Sequence, residues 1–596
     1  MEQNIKKSLV SKYSKNINLD LPLNDYPRPE MERSSWINLN GRYDYAILSK
    51  NEDSPTEYHG EIIVPFCVES SLSQVQKKLM PDEVLWYRRI FQVNETLENQ
   101  RLLLHFEAVD YYCSVYINNQ LVGKNRGGYL PFSFDITNYV IVGDNQLIVC
   151  VEDPTDTGYQ ERGKQVLNPK GIWYTATSGI WQSVWMEYVP NVYFDSVKIV
   201  SDVDNSLIRI CPNIVNSDNH IVNIKIYDDS SEISSQKIHP NSFTEIMINH
   251  PKLWSPESPH LYQVILELTD KNQVIDTVKT YFGLRKIHIG LDSTGLPRVF
   301  LNNQIYFQTG VLDQGYFPDG LLTPPSDQAM IDDIETMKSL GFNMLRKHIK
   351  VESRRWYYHC DRIGMIVWQD MPNGGEGYIG NTLAVALPNL GIKIKDHSYR
   401  RFHRNNIKGR QEFETHLKGV IDHLYNHPCI CCWVPFNEGW GQFDALRIGQ
   451  EIKKIDPYRL VDHASGWHDQ KGPDFVSIHK YIFKVKTPKK DKKRPFVLSE
   501  FGGYSQILSK HCWDESNSFG YRMYESKAEL SSAYEKLLEE QIIPLVPKGL
   551  CASIYTQLSD VELEVNGLIT YDREIMKLEK FVVNDLNEKL KKYPIK

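Results

Sequence analysis

Glu438 and Glu500 are the residues whose type and setting speak first of chemistry. The run Cys429-Ile-Cys-Cys-Trp-Val-Pro-Phe436 is almost wholly apolar and stops abruptly at Asn437-Glu438-Gly439. Phe496-Val-Leu-Ser499 repeats the pattern and ends in Glu500-Phe-Gly-Gly503. Short β-branched and aromatic runs of this kind read as strands buried on both faces, as in parallel sheets. A carboxylate at the carboxyl end of such a strand lies where an α/β barrel places its chemistry. One glutamate after an apolar strand is commonly a solvated loop residue. Two that converge on one cleft are what hydrolysis of a glycosidic bond requires, one carboxyl protonated to serve the leaving oxygen and the other ionised.

The elements that must position the pair follow from about residue 287. Strand candidates are Ile305–Gln308, Asn343–Arg346, Met365–Trp368, Ile430–Val434, Arg459–Asp462, Phe475–Ile478, Phe496–Leu498 and Ala552–Tyr555. Helical periodicity appears between them, with Met330, Ile331, Ile334 and Met337 on one face and Phe413, Leu417, Val420, Ile421 and Leu424 on another. Eight such strands close a (β/α)8 TIM barrel. The glutamates then fall on the fourth and seventh strands. Residues 373–410 form a long insertion after the third strand, ending in the basic Arg400-Arg-Phe-His-Arg404; long loops on a catalytic face are commonly functional, though a solvated charged excursion would read the same. No glycine-rich phosphate fingerprint appears, so no cofactor is expected.

The N-terminal half is different in kind. Short strands separated by turn formers run from Trp36 to about Tyr188, among them a hairpin across Asn118-Asn119. This block predicts an antiparallel β-sandwich over 1–190. Alternating strands at Val197–Val200, Ile221–Tyr227, Thr244–Ile248 and Tyr262–Leu268, with no Cys…Trp…Cys pattern, predict an immunoglobulin-like β-sandwich over 191–286, lacking the disulfide. The barrel then takes 287–596.

Composition excludes several classes. A net charge of −7 provides no basic field for nucleic acid or an anionic membrane. No apolar run approaches a membrane span, and the first residues lack the apolar stretch of a signal peptide. The 10 cysteines do not form a disulfide framework; Cys429, Cys431 and Cys432 sit inside a buried strand and lack zinc-site spacing. A reduced, cytoplasmic protein is expected; the glutamate pair, not the composition, points to a carbohydrate as its partner.

The chain resembles glycoside hydrolase family 2, which includes β-galactosidases, β-glucuronidases and β-mannosidases. Tyr26-Pro-Arg-Pro29 with Trp36-x-x-Leu-Asn-Gly41 looks like the family's opening, and Gly179-Ile-Trp-Gln182 like the close of its jelly-roll. Trp254-Ser-Pro256, Pro259-x-Leu-Tyr262 and Phe282-Gly-x-Arg285 resemble its immunoglobulin-like domain; Asn437-Glu438 and Ser499-Glu-Phe-Gly-Gly503 resemble its catalytic segments. The resemblance implies Glu438 as general acid/base and Glu500 as nucleophile of a retaining mechanism. It implies Arg346 beside the nucleophile, Asn437 on the sugar 2-hydroxyl, and Tyr481 orienting Glu500. As structural residues, Arg346 and Tyr481 would look the same. Strand-end positions add Asp313, Trp368, Asp370, His463, Trp467, Tyr555, Gln557 and Asp560 as candidate sugar contacts or their supports. Trp440 would stack on a sugar or pack under the acid/base loop.

The sequence departs from the family in places. Arg346-Lys-His348 puts the histidine one position early relative to the family's Arg-x-x-His. The third strand ends in Trp-Gln-Asp-Met-Pro, without the Glu and His that hold magnesium in some β-galactosidases, so no essential metal is expected. The Asn-x-Lys pair by which β-glucuronidases grip a sugar carboxylate is not evident, which disfavours a glucuronidase unless 400–404 supplies another anion clamp. The leading expectation is an exo-acting retaining β-glycosidase, β-galactoside first. The alternatives are a β-glucosidase, β-mannosidase or uronidase on the same machinery, or a carbohydrate-binding protein with a silent barrel. Family members often self-associate, so a homo-oligomer is a weak expectation.

Overall fold

A computed structural model describes residues 9–378, 387–389, 392–481, 483–488 and 491–593. In the first block a six-stranded antiparallel sheet runs, in spatial order, Gly60–Val64, Gly41–Ser49, Glu83–Val93, Gly143–Glu152, Tyr112–Ile117 and Gln120–Arg126. A four-stranded sheet of Trp36–Asn38, Val184–Pro190, Gln100–Phe106 and Phe132–Asp135 packs against it. Strict alternation drives this: on Gly143–Glu152, Asn145, Leu147, Val149 and Val151 are buried and their neighbours are not. Tyr43, Tyr87, Leu104, Phe106 and Val115 join the three apolar residues of that strand between the sheets. The Asn118-Asn119 hairpin is present, with φ of 50° and 64°, the left-handed pair that a tight two-residue turn needs.

The second block packs a three-stranded sheet (Tyr193–Asp202, Leu207–Val215, Thr244–Met247) against a four-stranded one (Ser231–Ile238, Ile221–Asp228, Tyr262–Asp270, Gln273–Phe282). That is the strand number and pairing of an immunoglobulin-like sandwich. Its sole cysteine, Cys211, is a free thiol. The motifs at its end dock it on the barrel. The fully buried Trp254 donates its indole N–H to the Asp361 carbonyl at 2.7 Å. Arg285 donates to the carbonyls of Pro428 (2.9 Å) and Ile430 (2.6 Å), bracing the start of the strand that leads to Glu438.

The barrel strands are β1 Gln308–Asp313, β2 Met344–Lys347, β3 Ile366–Asp370, β4 Ile430–Val434, β5 Leu460–Val461, β6 Val476–Lys480, β7 Phe496–Gly502 and β8 Leu550–Thr556. They form one curled parallel sheet in the order β5-β4-β3-β2-β1-β8-β7-β6. Where β5 meets β6 the sheet is bridged by side chains: Ser477 donates its hydroxyl proton to Asp462 Oδ2 at 2.8 Å. Helices α1 Asp327–Ser339, α2 Arg354–Ile363, α3 Ile407–His423, α4 Ala445–Ile455, α5 Lys527–Leu537 and α6 Lys580–Lys591 surround it. Among the described residues no α-helix lies between β5 and β6 or between β6 and β7. Ser326 and Asn406 cap α1 and α3 by accepting from backbone N–H groups of the first turn. Met330, Ile334 and Met337 are buried as their spacing predicts, whereas Ile331 is half-exposed.

The expected first strand, Ile305–Gln308, is corrected. Asn302 and Asn303 both take positive φ (52° and 65°) and turn the chain back, so Gln304–Ile305 pairs with Phe300 and Leu301 in a small separate sheet. The first barrel strand begins at Gln308 and carries Asp313 as its last residue. Of the 373–410 insertion, residues 379–386, 390 and 391 lie outside the described residues. Arg404 in that insertion is buried and donates to the Gly441 carbonyl (2.9 Å) and Asn373 Oδ1 (2.6 Å). It pins the loop after β3 to the loop after β4 and does not reach the cavity between them. No helix among the described residues is long and apolar enough to cross a membrane.

Candidate active site

The carboxyl ends of the strands enclose a cavity of about 280 Å³, at the small end of ligand sites. Glu438 and Glu500 both line it. Arg346, fully buried at the end of β2, ties its floor together. Its Nε and Nη2 grip both oxygens of Asp370 at 2.9 Å each, Nη1 donates to Glu500 Oε1 at 3.0 Å and to the Ser499 carbonyl at 3.1 Å, and Nη2 also reaches Asn437 Oδ1 at 2.8 Å. The planar fork of a guanidinium suits such many-sided donation. Asn437 gives its oxygen to Arg346, which leaves its amide nitrogen to donate into the cavity.

Glu438 follows β4 with φ +52°, a left-handed conformation that a non-glycine residue adopts only when its surroundings hold it. Its N–H donates to the Ser465 carbonyl at 3.0 Å, and the Ser465 N–H donates back to Phe436 at 2.9 Å, so the loop after β5 fixes the turn. Glu500 lies within β7 and not beyond its end, and its side chain is 4 % exposed against 21 % for Glu438. Tyr481 donates its hydroxyl to Glu500 Oε2 and stacks face to face on Tyr521, 4.0 Å between ring centroids.

His479 stands between the two glutamates. Its Nδ1 is 2.7 Å from Glu438 Oε1, and its Nε2 is 3.1 Å from Ser465 Oγ and 3.6 Å from Glu500 Oε1. The electrostatics separate the pair. Burial, reinforced by the charge of Glu500, pushes the Glu438 carboxyl up, against the pull of the His479 contact. Burial acts the same way on Glu500, but His479 and Arg346 outweigh it and hold that carboxyl down at about 2. Burial first, then the Glu500 charge, drives the Tyr481 phenol well above its usual range, so it stays a donor. Glu438 therefore keeps its proton to higher pH than Glu500, which is ionised at neutral pH.

These groups are also the one His/Asp/Glu cluster among the described residues with ligating atoms close enough for a metal, all within 4.8 Å. Both oxygens of Glu500 are already engaged by Arg346 and Tyr481, and a cation would face the fixed guanidinium charge. The donor set suits proton handling better than metal binding.

The structure sorts the other sequence candidates. Trp467 lines the cavity. Asp370 sits one layer below, holding Arg346 and His348, the latter at 2.7 Å from its Nδ1. His348 reaches the cavity despite its shifted spacing, and burial together with the Lys164 charge keeps it neutral. Six further expected contacts do not line the cavity. Asp313 accepts from Lys347 Nζ at 2.7 Å, and Trp368 is in the core, stacked on Phe475 with its indole donating to Gln308. His463 faces Asp469 at 3.3 Å, and the Tyr555 hydroxyl accepts from the Tyr504 N–H and packs on Tyr534 of α5. Gln557 acts through a neighbour, accepting from the cavity-lining Gln314 at 2.8 Å. Asp560 is consumed by Lys577 at 2.6 Å. Strand side chains alternate between the barrel interior and the helix layer, and strand position alone does not tell which way each points.

Several lining residues carried no signal that the strand-end reading used. His479 is two positions before Tyr481 on one strand end, and that period-two relation places both on one face. Lys164, Ile172 and Trp173 come from the first sandwich. Trp173 packs on Tyr378 (4.4 Å between centroids) and on Trp440 (4.9 Å), two residues after Glu438, building an aromatic wall of the cavity. The sequence clue was the long, strand-poor stretch after Glu152, inside an otherwise strand-dense block.

Family models match in order along the chain: "Glycosyl hydrolases family 2, sugar binding domain" over 70–190, "Glycosyl hydrolases family 2" over 192–285, and "Glycosyl hydrolases family 2, TIM barrel domain" over 325–578. A β-galactosidase of Thermoanaerobacter pseudethanolicus is 25% identical over 450 residues, covering 71% of this chain and 54% of its own length. A β-galactosidase of Lactococcus lactis is 29% identical over 531 residues, covering 83% of this chain and 49% of its own. The chain thus spans about half the length of these relatives. Among solved structures, a β-D-glucuronidase of Dictyoglomus thermophilum superposes with a TM-score of 0.73 at 18% identity, covering 96% of this chain and 99% of that one. At that identity the likeness concerns the fold.

Proposed function

Since the chain belongs to glycosyl hydrolase family 2, we propose that it is an exo-acting, retaining β-glycosidase of a terminal gluco- or galacto-configured sugar. The observation that carries this is the pair Glu438 and Glu500, with carboxylate oxygens within 4.8 Å of one another and opposite proton affinities. Retaining enzymes hold their carboxyls about 5–5.5 Å apart, whereas inverting enzymes leave roughly 6.5–9.5 Å for a water. In this reading Glu438 protonates the glycosidic oxygen as the C1–O bond breaks. Glu500, ionised and aimed by Arg346 and Tyr481, bonds to C1. Glu438, now a carboxylate, then takes a proton from water, which attacks C1 and releases Glu500. The Asn437 amide donates to the 2-hydroxyl. The small cavity, walled by Trp173 and Lys164 of the first sandwich, supports action on a single terminal sugar. Relatives named β-galactosidase and a neighbour named β-glucuronidase support the β-glycosidic linkage. Ten free cysteines support a reducing, cytoplasmic location.

The test is a panel of nitrophenyl β-glycosides with wild type and Glu500→Ala side by side, and the first-formed product anomer read by NMR. Hydrolysis with β-product, abolished in the variant, is the expected result. An α-anomer as first product would sink the retaining mechanism, and equal turnover by Glu500→Ala would sink the site. A protein that binds sugars and turns none over would be the silent barrel.

A further inference from the structure

Lys164 has no role in the chemistry just described. It belongs to the first sandwich, is only 8 % exposed, and lines the cavity beside Glu438, Glu500 and His348. Among the described residues its ammonium makes no hydrogen bond or ion pair; it lies 5.3 Å from the ring centroid of Tyr174. The surrounding carboxylates are committed elsewhere. Glu500 is held by Arg346 and Tyr481, and Asp370 by Arg346 and His348. Glu438 is held by His479, and Glu564 accepts from the Tyr174 hydroxyl and the Asn566 amide. The Glu438 and Asp370 carboxyls feel its charge, which pulls both down, but neither pairs with it directly, and a buried charge without a direct ion-pair partner is costly to keep.

The backbone that presents Lys164 is fixed. The N–H groups of Arg162 and Gly163 both donate to the Asn373 carbonyl at 3.0 Å, and Arg162 Nη1 donates to the Gly375 carbonyl at 2.8 Å. The Lys164 carbonyl accepts from the Tyr174 N–H at 3.0 Å. Gly163 has φ +61°, and a Cβ there would meet the Tyr129 hydroxyl at 2.6 Å and the Ile349 carbonyl at 2.9 Å, so no larger residue fits. The first sandwich thus holds an unpaired cation rigidly against the barrel's site. The basic 400–404 segment does not supply it.

We propose that Lys164 clamps an anionic group of the bound sugar, so that the glycone is an acidic sugar, a β-uronide whose carboxylate pairs with the ammonium. This rests on the glycosidase reading above. An anionic ester on a hexose, sulfate or phosphate, would present the same charge, so the test separates the two.

The experiment compares kcat/KM for nitrophenyl β-galacturonide, β-glucuronide, β-galactoside, β-glucoside and the 6-sulfated and 6-phosphorylated β-galactosides. Wild type, Lys164→Met, Lys164→Arg and Glu500→Ala are run together. Wild type should prefer a uronide over its neutral counterpart by about 100-fold, and Lys164→Met should cut that ratio by a similar factor, mainly through KM, with Lys164→Arg in between. Preference for an ester anion, lost in Lys164→Met, would keep the clamp and replace the carboxylate. A wild type that prefers neutral sugars, or an unchanged ratio in Lys164→Met, overturns the inference while leaving the glycosidase intact. Hydrolysis surviving in Glu500→Ala overturns instead the reading beneath it. Independently of variant folding, free uronic acid should inhibit wild type at least tenfold more tightly than the free neutral sugar; equal inhibition counts against the clamp.

Discussion

Arg346→Lys is the most informative single substitution, because it keeps the charge and removes the geometry. The guanidinium makes five hydrogen bonds, to Asp370 twice and to Asn437, Glu500 and Ser499 once each. An ammonium has three donors on one nitrogen and cannot span partners on β3, β4 and β7 together. At least two charge-assisted bonds are lost. At roughly 1.5–3 kcal/mol each, that is about 3–6 kcal/mol before water recovers some of it. Where the lost contact positions Glu500, the effect is felt in the transition state, so kcat/KM should fall about 10²- to 10⁴-fold, with kcat carrying most of it. A second signature follows from the charge. Burial pushes the Glu500 carboxyl up, and His479 and Arg346 together hold it at about 2. A lysine ammonium keeps the charge but, on a shorter side chain, sits farther from Glu500 and loses the direct bond to its Oε1, so the carboxyl rises. Activity needs the ionised form, so the acid limb of the pH–rate profile should move to higher pH, where wild type shows none. The assay is kcat/KM for an activated aryl glycoside from about pH 3 to pH 8, with a melting curve at each end. A variant within about threefold of wild type, with an unmoved acid limb, would refute the placement of Arg346 beside a working nucleophile.

Glu438→Gln should lose the alkaline limb of the profile, because activity requires a protonated group at 438 and is otherwise lost as pH rises through the elevated Glu438 value; turnover of alkyl glycosides should drop by about 10²–10⁴ and that of nitrophenyl glycosides less. Trp173→Ala removes the sandwich's part of the aromatic wall and should raise KM about tenfold with kcat little changed, as measured on any substrate the wild type turns over. His416 on α3 pairs with Glu161 of the first sandwich at 2.6 Å, and although burial pulls it down, Glu161 raises it to about 9. A folded-state value above the unfolded 6.5 means this pair stabilises fully below about pH 6.5 and is lost as pH rises through 9; His416→Ala should lower the melting temperature at pH 6, by up to about 3 kcal/mol of stability, and leave it nearly unchanged above pH 9.

What the sequence made legible was local. A carboxylate that closes an apolar strand can be found one strand at a time, and Glu438 and Glu500 are legible this way; Arg346, Asn437 and Tyr481 are legible only through the family likeness. What depends on register was not legible. Trp368 and Tyr555 stand at the right height on their strands, yet one is buried in the core and the other faces helix α5. A second left-handed asparagine pair, at 302–303, moved the first strand by enough to change which residue ends it. Hardest to read was anything the barrel borrows. Lys164 and Trp173 precede the first barrel strand by an entire sandwich, and contacts across the domain boundary, such as the seating of Arg162 and Gly163 on Asn373 and of Tyr174 on Glu564, bring them to the cavity. The two kinds of legibility divide along chemical lines. Bond breaking needs two carboxyls at a fixed spacing, and a single rigid barrel supplies that. Sugar choice needs walls around the ring, and here one wall belongs to another domain. On the proposed reading, selectivity is a property of the contact between sandwich and barrel, and substitutions at that contact should change which sugar is taken without moving Glu438 and Glu500 relative to each other.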